Sequence, residues 1–142
     1  MVKEYSLKRD GDKFISENFK IKEFACKDNT DKILIDLSLV EILQKLRTHF
    51  NKPIIITSAY RTESYNKSVG GATNSYHRLG RAFDIYCKNI PATELASWLY
   101  KNGVRGIGLY IERPLEFVHM DSRENKYYWK NNGSSNIQVF EF

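Results

Sequence analysis

The sequence predicts an α+β domain in which helices flank a mixed, mostly antiparallel sheet. Segments with helical periodicity are interspersed with short apolar runs typical of strands, and they do not follow the strict alternation of a parallel α/β fold. Short loops join several of the predicted strands directly. The 142 residues, 42% of them hydrophobic, suffice for one core, so we expect a single domain over residues 1–142.

The N-terminal part predicts an arm followed by a helix. Residues 1–32 mix charges with isolated aromatic side chains, and we expect them to pack across the domain with one helical turn at residues 22–26. Apolar side chains then recur at helical spacing over residues 38–51. Ser38 is the predicted N-cap of this helix, and Pro53 prevents its extension.

The central part predicts two strands separated by a helix. The β-branched run at residues 54–58 is typical of a buried strand. Residues 62–69 have a helical pattern that ends at Gly70 and Gly71. A loop then leads to residues 82–87, whose alternation favours a half-buried strand.

The C-terminal part begins with a helix at residues 93–101, which Asn102 and Gly103 close with a left-handed cap. Three further strands are predicted, at residues 106–110, 117–120 and 137–142. A loop that contains Pro114 joins the first two.

The composition excludes several classes of protein. The 22 Lys and Arg against 17 Asp and Glu give a net charge of +5, but these residues are scattered as on an ordinary solvated surface. No arginine-rich run or repeated cysteine pair indicates a nucleic-acid partner. No segment suggests a secretory signal or membrane insertion, so we expect synthesis in the cytoplasm. We also expect a monomer. Cys26 and Cys87 are expected to be free thiols, with one disulfide as the alternative.

Three polar residues suggest a metal site. Asp84 and His119 each lie within an apolar predicted strand, where an ionised carboxylate is costly to bury unless a cation compensates it. His77 precedes the first of these strands on a loop and could converge with them. Two imidazoles and one carboxylate are a ligand set for one zinc ion that leaves the fourth position for water. Alternatively, His119 is a core histidine and Asp84 a loop or cap carboxylate.

A zinc hydrolase also needs a proton acceptor. Glu116 is our predicted catalytic base because it lies three residues before His119, although in a regular strand it would face the opposite side. Glu112 and Asp121 are the competitors, and Asp121 shares the face of His119 and could instead orient that ring. The alternative for Glu116 is a solvated loop residue.

Two residues are candidates for substrate binding. Arg61 follows the strand at residues 54–58, and its guanidinium suits bidentate binding of a carboxylate such as a peptide C-terminus. A plain surface arginine is the alternative. Ser75, two residues before His77, could donate a hydrogen bond to substrate or fix the loop.

Several motifs together resemble the zinc D-Ala-D-Ala carboxypeptidase family of murein peptidases, which includes phage endolysins that cut the L-Ala-D-Glu bond. The motifs are Thr57-Ser58-Ala59-Tyr60-Arg61-Thr62, Val69-Gly70-Gly71-Ala72, Ser75-x-His77-x-x-Gly80-x-Ala82-x-Asp84, Gly106-Ile107-Gly108-x-Tyr110 and Phe117-Val118-His119-x-Asp121. Asn66, Asn18-Phe19-Lys20, Glu23-Phe24 and Tyr128-Trp129 are also similar to its members. The loop at residues 111–116 departs from the family, since it is longer and places an acid before the last histidine.

The resemblance implies the fold shared with hedgehog signalling domains, one zinc ion held by His77, Asp84 and His119, and a substrate-binding role for Arg61. It also implies hydrolysis of a bond in the peptidoglycan stem peptide, by a carboxypeptidase or an endopeptidase. Without a signal peptide, such an enzyme would reach the cell wall through a holin-type partner or on lysis. The alternative function is an inactive, zinc-stabilised module that binds cell wall or a protein.

Overall fold

The computed structural model of the chain describes residues 1–131 and 137–139. The strands among these residues are β1 (Val2–Ser6), β2 (Phe14–Ser16), β3 (Phe19–Lys20), β4 (Lys32–Asp36), β5 (Ile54–Ser58), β6 (Ala82–Cys87), β7 (Gly106–Tyr110), β8 (Phe117–Asp121), β9 (Tyr127–Asn131) and β10 (Ile137–Val139). The α-helices are α1 (Leu7–Asp10), α2 (Leu37–Phe50), α3 (Glu63–Ser68) and α4 (Ala92–Lys101). Two 3₁₀ helices lie at Ile21–Phe24 and Tyr76–Leu79.

A six-stranded sheet with the order β10-β9-β7-β8-β6-β5 forms the centre of the fold. All its neighbouring strands are antiparallel except β7 and β9, which are parallel. The predicted α+β class with a mixed, mostly antiparallel sheet is therefore confirmed. In the part of the chain that the structure describes, no helix is long and apolar enough to cross a membrane.

The two faces of strand β8 differ in chemistry. Val118 and Met120 are fully buried in the core, on the side where helix α4 packs against strands β7 and β8. Because successive side chains of a strand point to opposite faces, His119 and Asp121 lie on the other side of the sheet. That second face holds the candidate site.

The N-terminal arm packs onto the central sheet. Strands β1 and β4 pair with each other, and strands β2 and β3 form a small hairpin. The predicted helical turn is the 3₁₀ helix Ile21–Phe24, whose Phe24 is fully buried with its ring 5.0 Å from that of Phe83. Burial of an aromatic ring of this size stabilises the docked arm by about 2 kcal/mol. The assignment of residues 1–142 to one domain stays a prediction.

Several predicted details differ from the structure. The N-cap of α2 is Asp36, whose carboxylate accepts hydrogen bonds from the amide (3.1 Å) and hydroxyl (2.6 Å) of Ser38, so the predicted cap at Ser38 is wrong. Strand β6 is largely buried on both faces rather than half-buried, because the second face is also covered. Helix α1 and strands β1 to β4 and β9 were not predicted.

Other predictions agree with the structure. Cys26 and Cys87 are free, buried thiols. Gly103 has the left-handed conformation (φ 85°) expected after α4. The last strand covers residues 137–139, and the remainder of its predicted range, residues 140–142, lies outside the described residues.

Candidate metal centre

Three neighbouring elements bring His77, Asp84 and His119 together. His77 lies on the 3₁₀ helix Tyr76–Leu79, which Ser75 begins and Gly80 ends in a left-handed conformation (φ 73°). Asp84 on β6 and His119 on β8 are direct partners in the antiparallel register. Such partners have their side chains on the same face of a sheet, so the strand pairing itself sets the distance between these two side chains.

The side chains of His77, Asp84 and His119 form a tight buried group, which we call the metal group. Asp84 Oδ1 lies 3.0 Å from His119 Nδ1, and Asp84 Oδ2 lies 3.2 Å from His77 Nε2. All three residues are at most 7% exposed. One ligand atom from each lies within 4.8 Å of the other two, so the group could hold a metal ion.

Each imidazole is oriented by its other nitrogen. His77 Nδ1 donates to the carbonyl oxygen of Ala59 at 2.7 Å, and His119 Nε2 donates to Asp121 Oδ2 at 2.8 Å. These bonds leave His77 Nε2 and His119 Nδ1 facing Asp84. Metal-binding histidines typically have such an acceptor on the outer nitrogen, which fixes the tautomer and the ring. The donor set therefore fits a divalent ion such as zinc.

The electrostatics of the group also favour a cation. Burial opposes the charged form of Asp84, but His77 and His119 hold the pKa of Asp84 well below its usual range. Burial likewise opposes charge on Asp121, and its bonds to His119 and Arg123 still lower its pKa to about 2. Burial would lower the pKa of His119, but its bonds to Asp121 and Asp84 raise that pKa to about 9. Two carboxylates that are anionic at neutral pH thus surround the His119 ring.

Asp121 is held in place by a second residue. The Arg123 guanidinium donates to both its oxygens, from Nε to Oδ1 at 2.8 Å and from Nη2 to Oδ2 at 2.6 Å. On the neighbouring strand, a Cβ atom at Gly106 would lie only 1.8 Å from Asp121 Oδ1. Glycine at this position therefore provides the space that the Asp121 carboxylate occupies. Asp121 lies on the same face as His119 and accepts a hydrogen bond from its ring, and its role in orienting that ring stays a prediction.

Arg61 lies at the edge of the group. Its Nη2 is 3.4 Å from Asp84 Oδ2, while Nε donates to Ser58 at 3.0 Å and Nη1 to Asn66 at 3.3 Å. Asn66 is 2% exposed and also donates to the carbonyl oxygen of Ala72, so it supports the arginine from below the cleft. The predicted proximity of Arg61 to the site is observed, and its role stays a prediction.

Ser75 and Glu116 make local hydrogen bonds within their own loops. The Ser75 hydroxyl accepts a hydrogen bond from the amide of His77 at 3.2 Å and thus fixes the loop. Glu116 is exposed, precedes β8, and accepts a hydrogen bond from the amide of Glu112 at 2.9 Å. The structure does not bring the Glu116 carboxylate to the group of His77, Asp84 and His119.

Aromatic side chains form the wall of a cleft of about 700 Å³ above the group. Tyr110 and Phe117 stack at 4.5 Å, and the Trp129 ring lies 4.9 Å from that of His119. A Cβ atom at Gly108 would lie 2.4 Å from the Trp129 ring, so this glycine admits the indole. Trp129 and Arg123 were not predicted as site residues. The sequence feature that could have indicated them is the cluster of aromatic and basic residues at positions 123–130, after His119.

Comparison with known proteins is consistent with this site. Residues 16–121 match the model of the family described as peptidase M15. The curated relatives include the peptidoglycan L,D-endopeptidase MepK of Escherichia coli (strain K12) and that of Shigella flexneri. Each is 30% identical to this chain over 122 residues, which cover 80% of this chain and 66% of the relative. The chain therefore spans just under two thirds of the length of these relatives.

Proposed function

The chain belongs to the peptidase M15 family, whose members are metallopeptidases, and from this we propose that it is a zinc-dependent peptidase of bacterial peptidoglycan. The observation that most strongly supports the proposal is the convergence of His77, Asp84 and His119 at the base of an aromatic cleft. When bound, zinc supplies Lewis-acid activation of water and of the scissile carbonyl. The protein's own residues then have to bind the peptide and accept a proton.

We further propose cleavage within the stem peptide rather than removal of its last residue. The cleft continues on both sides of the metal group, towards Arg61 and Gly71 in one direction and towards Arg123 and Tyr127 in the other. Because β5 and β9 lie on opposite sides of β6 and β8 in the sheet, the cleft lining extends to both sides of the metal group and offers contacts to chain on either side of the scissile bond. The name of the MepK relatives, L,D-endopeptidase, also supports this choice.

The decisive experiment is a digest of defined muropeptides by the zinc-loaded protein, with mass spectrometry of the products. We expect two peptide fragments from an internal cut. Release of only a terminal amino acid would instead identify a carboxypeptidase. Zinc bound at about one ion per chain without any hydrolysis would favour the alternative of a cell-wall binding module.

For the proton acceptor we propose Glu116 rather than Asp121. Asp121 is 1% exposed, and its two oxygens accept four hydrogen bonds, one from His119 Nε2 and three from the amide, Nε and Nη2 of Arg123, so it has no free lone pair towards substrate. Glu116 is exposed, has only the Glu112 amide as hydrogen-bond partner within residues 1–131, and adjoins the cleft-lining Phe117. This role requires the loop at residues 111–116 to release the carboxylate towards the cleft.

We expect Glu116→Gln to lower kcat by about 100-fold or more, because the amide cannot accept the proton, and to leave zinc affinity unchanged. Asp121→Asn is the matched control and should weaken zinc binding by about 10- to 100-fold, since the His119 ring loses its anionic acceptor. Single-turnover hydrolysis and zinc competition with a chelator separate the two effects. Wild-type kcat in Glu116→Gln would refute this assignment.

A further inference from the structure

A second, smaller cavity of about 350 Å³ adjoins the cleft and has the chemistry of an anion site. It shares Tyr76, Arg123 and Tyr127 with the cleft, and its remaining lining residues are Arg81, Glu124, Asn125 and Lys126. We propose that this cavity, which we call the Arg81 pocket, binds a carboxylate of the substrate remote from the cleaved bond. The inference rests on the proposed function and concerns substrate recognition by the same cleft.

The positive charge of Arg81 is not neutralised within the described part of the fold. Its Nε donates to the hydroxyl of Ser122 at 2.9 Å and its Nη2 to the carbonyl oxygen of Ser122 at 2.6 Å, and both acceptors are uncharged. The nearby carboxylate of Asp36 is separated from it by the same Ser122 hydroxyl, which donates to Asp36 Oδ2 at 2.6 Å. Nη1 of Arg81 has no hydrogen-bond partner within residues 1–131. This guanidinium can therefore still bind an anion.

A second guanidinium lines the same pocket and contacts the same aromatic ring. Arg81 is 5.2 Å and Arg123 4.7 Å from the centre of the same Tyr76 ring. Asp121 compensates the charge of Arg123, but among the described residues nothing comparable compensates Arg81. Lys126 adds a third cation to the lining and Glu124 one acid, so the pocket keeps an excess of positive charge. Such a pocket favours a carboxylate over the corresponding amide.

The position of the pocket indicates where on the substrate this carboxylate lies. The Trp129 ring is 4.9 Å from His119 and 5.4 Å from Tyr127, so an aromatic wall connects the metal group with the pocket. The two distances add to at most about 10 Å, so the pocket lies within about three residues of extended peptide from His119. Arg61 follows β5 and Tyr127 of the pocket begins β9, and these two strands lie on opposite sides of β6 and β8 in the sheet, so the two cationic positions are on different sides of the metal group. We therefore infer that the carboxylate lies within about three residues of the cut.

The test uses stem peptides in which each carboxylate is amidated in turn, with KM and kcat measured separately for the zinc-loaded protein. In the wild type, one of these amidations should raise KM about ten-fold with little change in kcat. Lys126→Gln and Arg81→Gln should bind the free carboxylate more weakly and should lose most of that discrimination. Lys45→Gln, on the exposed face of α2, removes the same charge elsewhere and should behave as wild type.

Two features keep the test decisive. Lys126 is exposed and has no hydrogen-bond partner in the described residues 1–131, so its replacement leaves the fold intact even if Arg81→Gln disturbs the contact to Ser122. Calorimetric binding of the same peptides to the zinc-loaded protein tests the pocket even without hydrolysis. Discrimination that is unchanged in both variants, or absent in the wild type, would overturn the pocket assignment. Loss of hydrolysis with retained discrimination would contradict only the proposed enzymatic activity.

Discussion

His77→Ala should reduce hydrolysis of the stem peptide by about 1,000-fold and lower the zinc content from about one ion per chain to near zero. The variant removes one of the two proposed imidazole ligands from a group whose ligand atoms lie within 4.8 Å of each other. A bound metal ion contributes several kcal/mol of transition-state stabilisation, and about 4 kcal/mol corresponds to this loss of rate. Metal analysis of the purified variant and a rate assay on defined muropeptides measure both effects.

His49→Ala is the matched control for this prediction. His49 is exposed on α2, and its ring contacts Phe50 and Trp98 outside the cleft. We expect this variant to keep its zinc and most of its activity. Asp84→Asn, which preserves side-chain shape, should reproduce the loss seen in His77→Ala. A metal-containing His77→Ala protein with the wild-type rate would exclude the proposed centre.

Gly106→Ala should lower both the stability of the protein and its affinity for zinc, although Gly106 itself is not a ligand. The added methyl group would lie 1.8 Å from Asp121 Oδ1 and 2.2 Å from its Cγ, so the carboxylate must move. Overpacking of this kind costs about 1–3 kcal/mol of unfolding free energy. The displaced carboxylate can no longer hold the His119 ring, which should weaken zinc binding by about 10-fold or more.

Gly103→Ala is the control that distinguishes a general loss of stability from a loss of zinc affinity. No atom of the described residues lies within 4 Å of the methyl group it would add, but its φ of 85° is unfavourable for alanine. We expect a stability loss of about 1 kcal/mol with unchanged zinc affinity. Denaturant unfolding and chelator competition on both variants provide the comparison. Wild-type zinc affinity in Gly106→Ala would show that Asp121 tolerates the displacement.

The proximity of Asp84 and His119 could be predicted from the sequence around each residue. Asp84 and His119 interrupt apolar strands, and burial of such groups requires compensation. Strands β5 and β7 were predicted with the bounds that the structure has, since their apolar runs lie between clear turn residues. The prediction that His77 joins Asp84 and His119 rested on the family resemblance as much as on the spacing between His77 and Asp84.

The cleft wall could not be predicted in the same way. Strand β9 has no regular alternation, and it joins the sheet beside β7 instead of beside its sequence neighbour β8. Its partner is therefore set by tertiary packing, which a single sequence does not show. The contact of Arg123 with Asp121 likewise depends on how the chain turns after β8.

The position of β8 in the middle of the sheet has a consequence for the dynamics of the site. His119 pairs with Asp84 on one side and with Gly108 on the other, so local fraying at the edge strands β5 and β10 does not reach it. Amide protons at such positions typically exchange with solvent only when the whole domain opens. The amide of His119 should then be among the slowest to exchange, and measurement of hydrogen–deuterium exchange would show whether the centre is as rigid as the sheet that holds it.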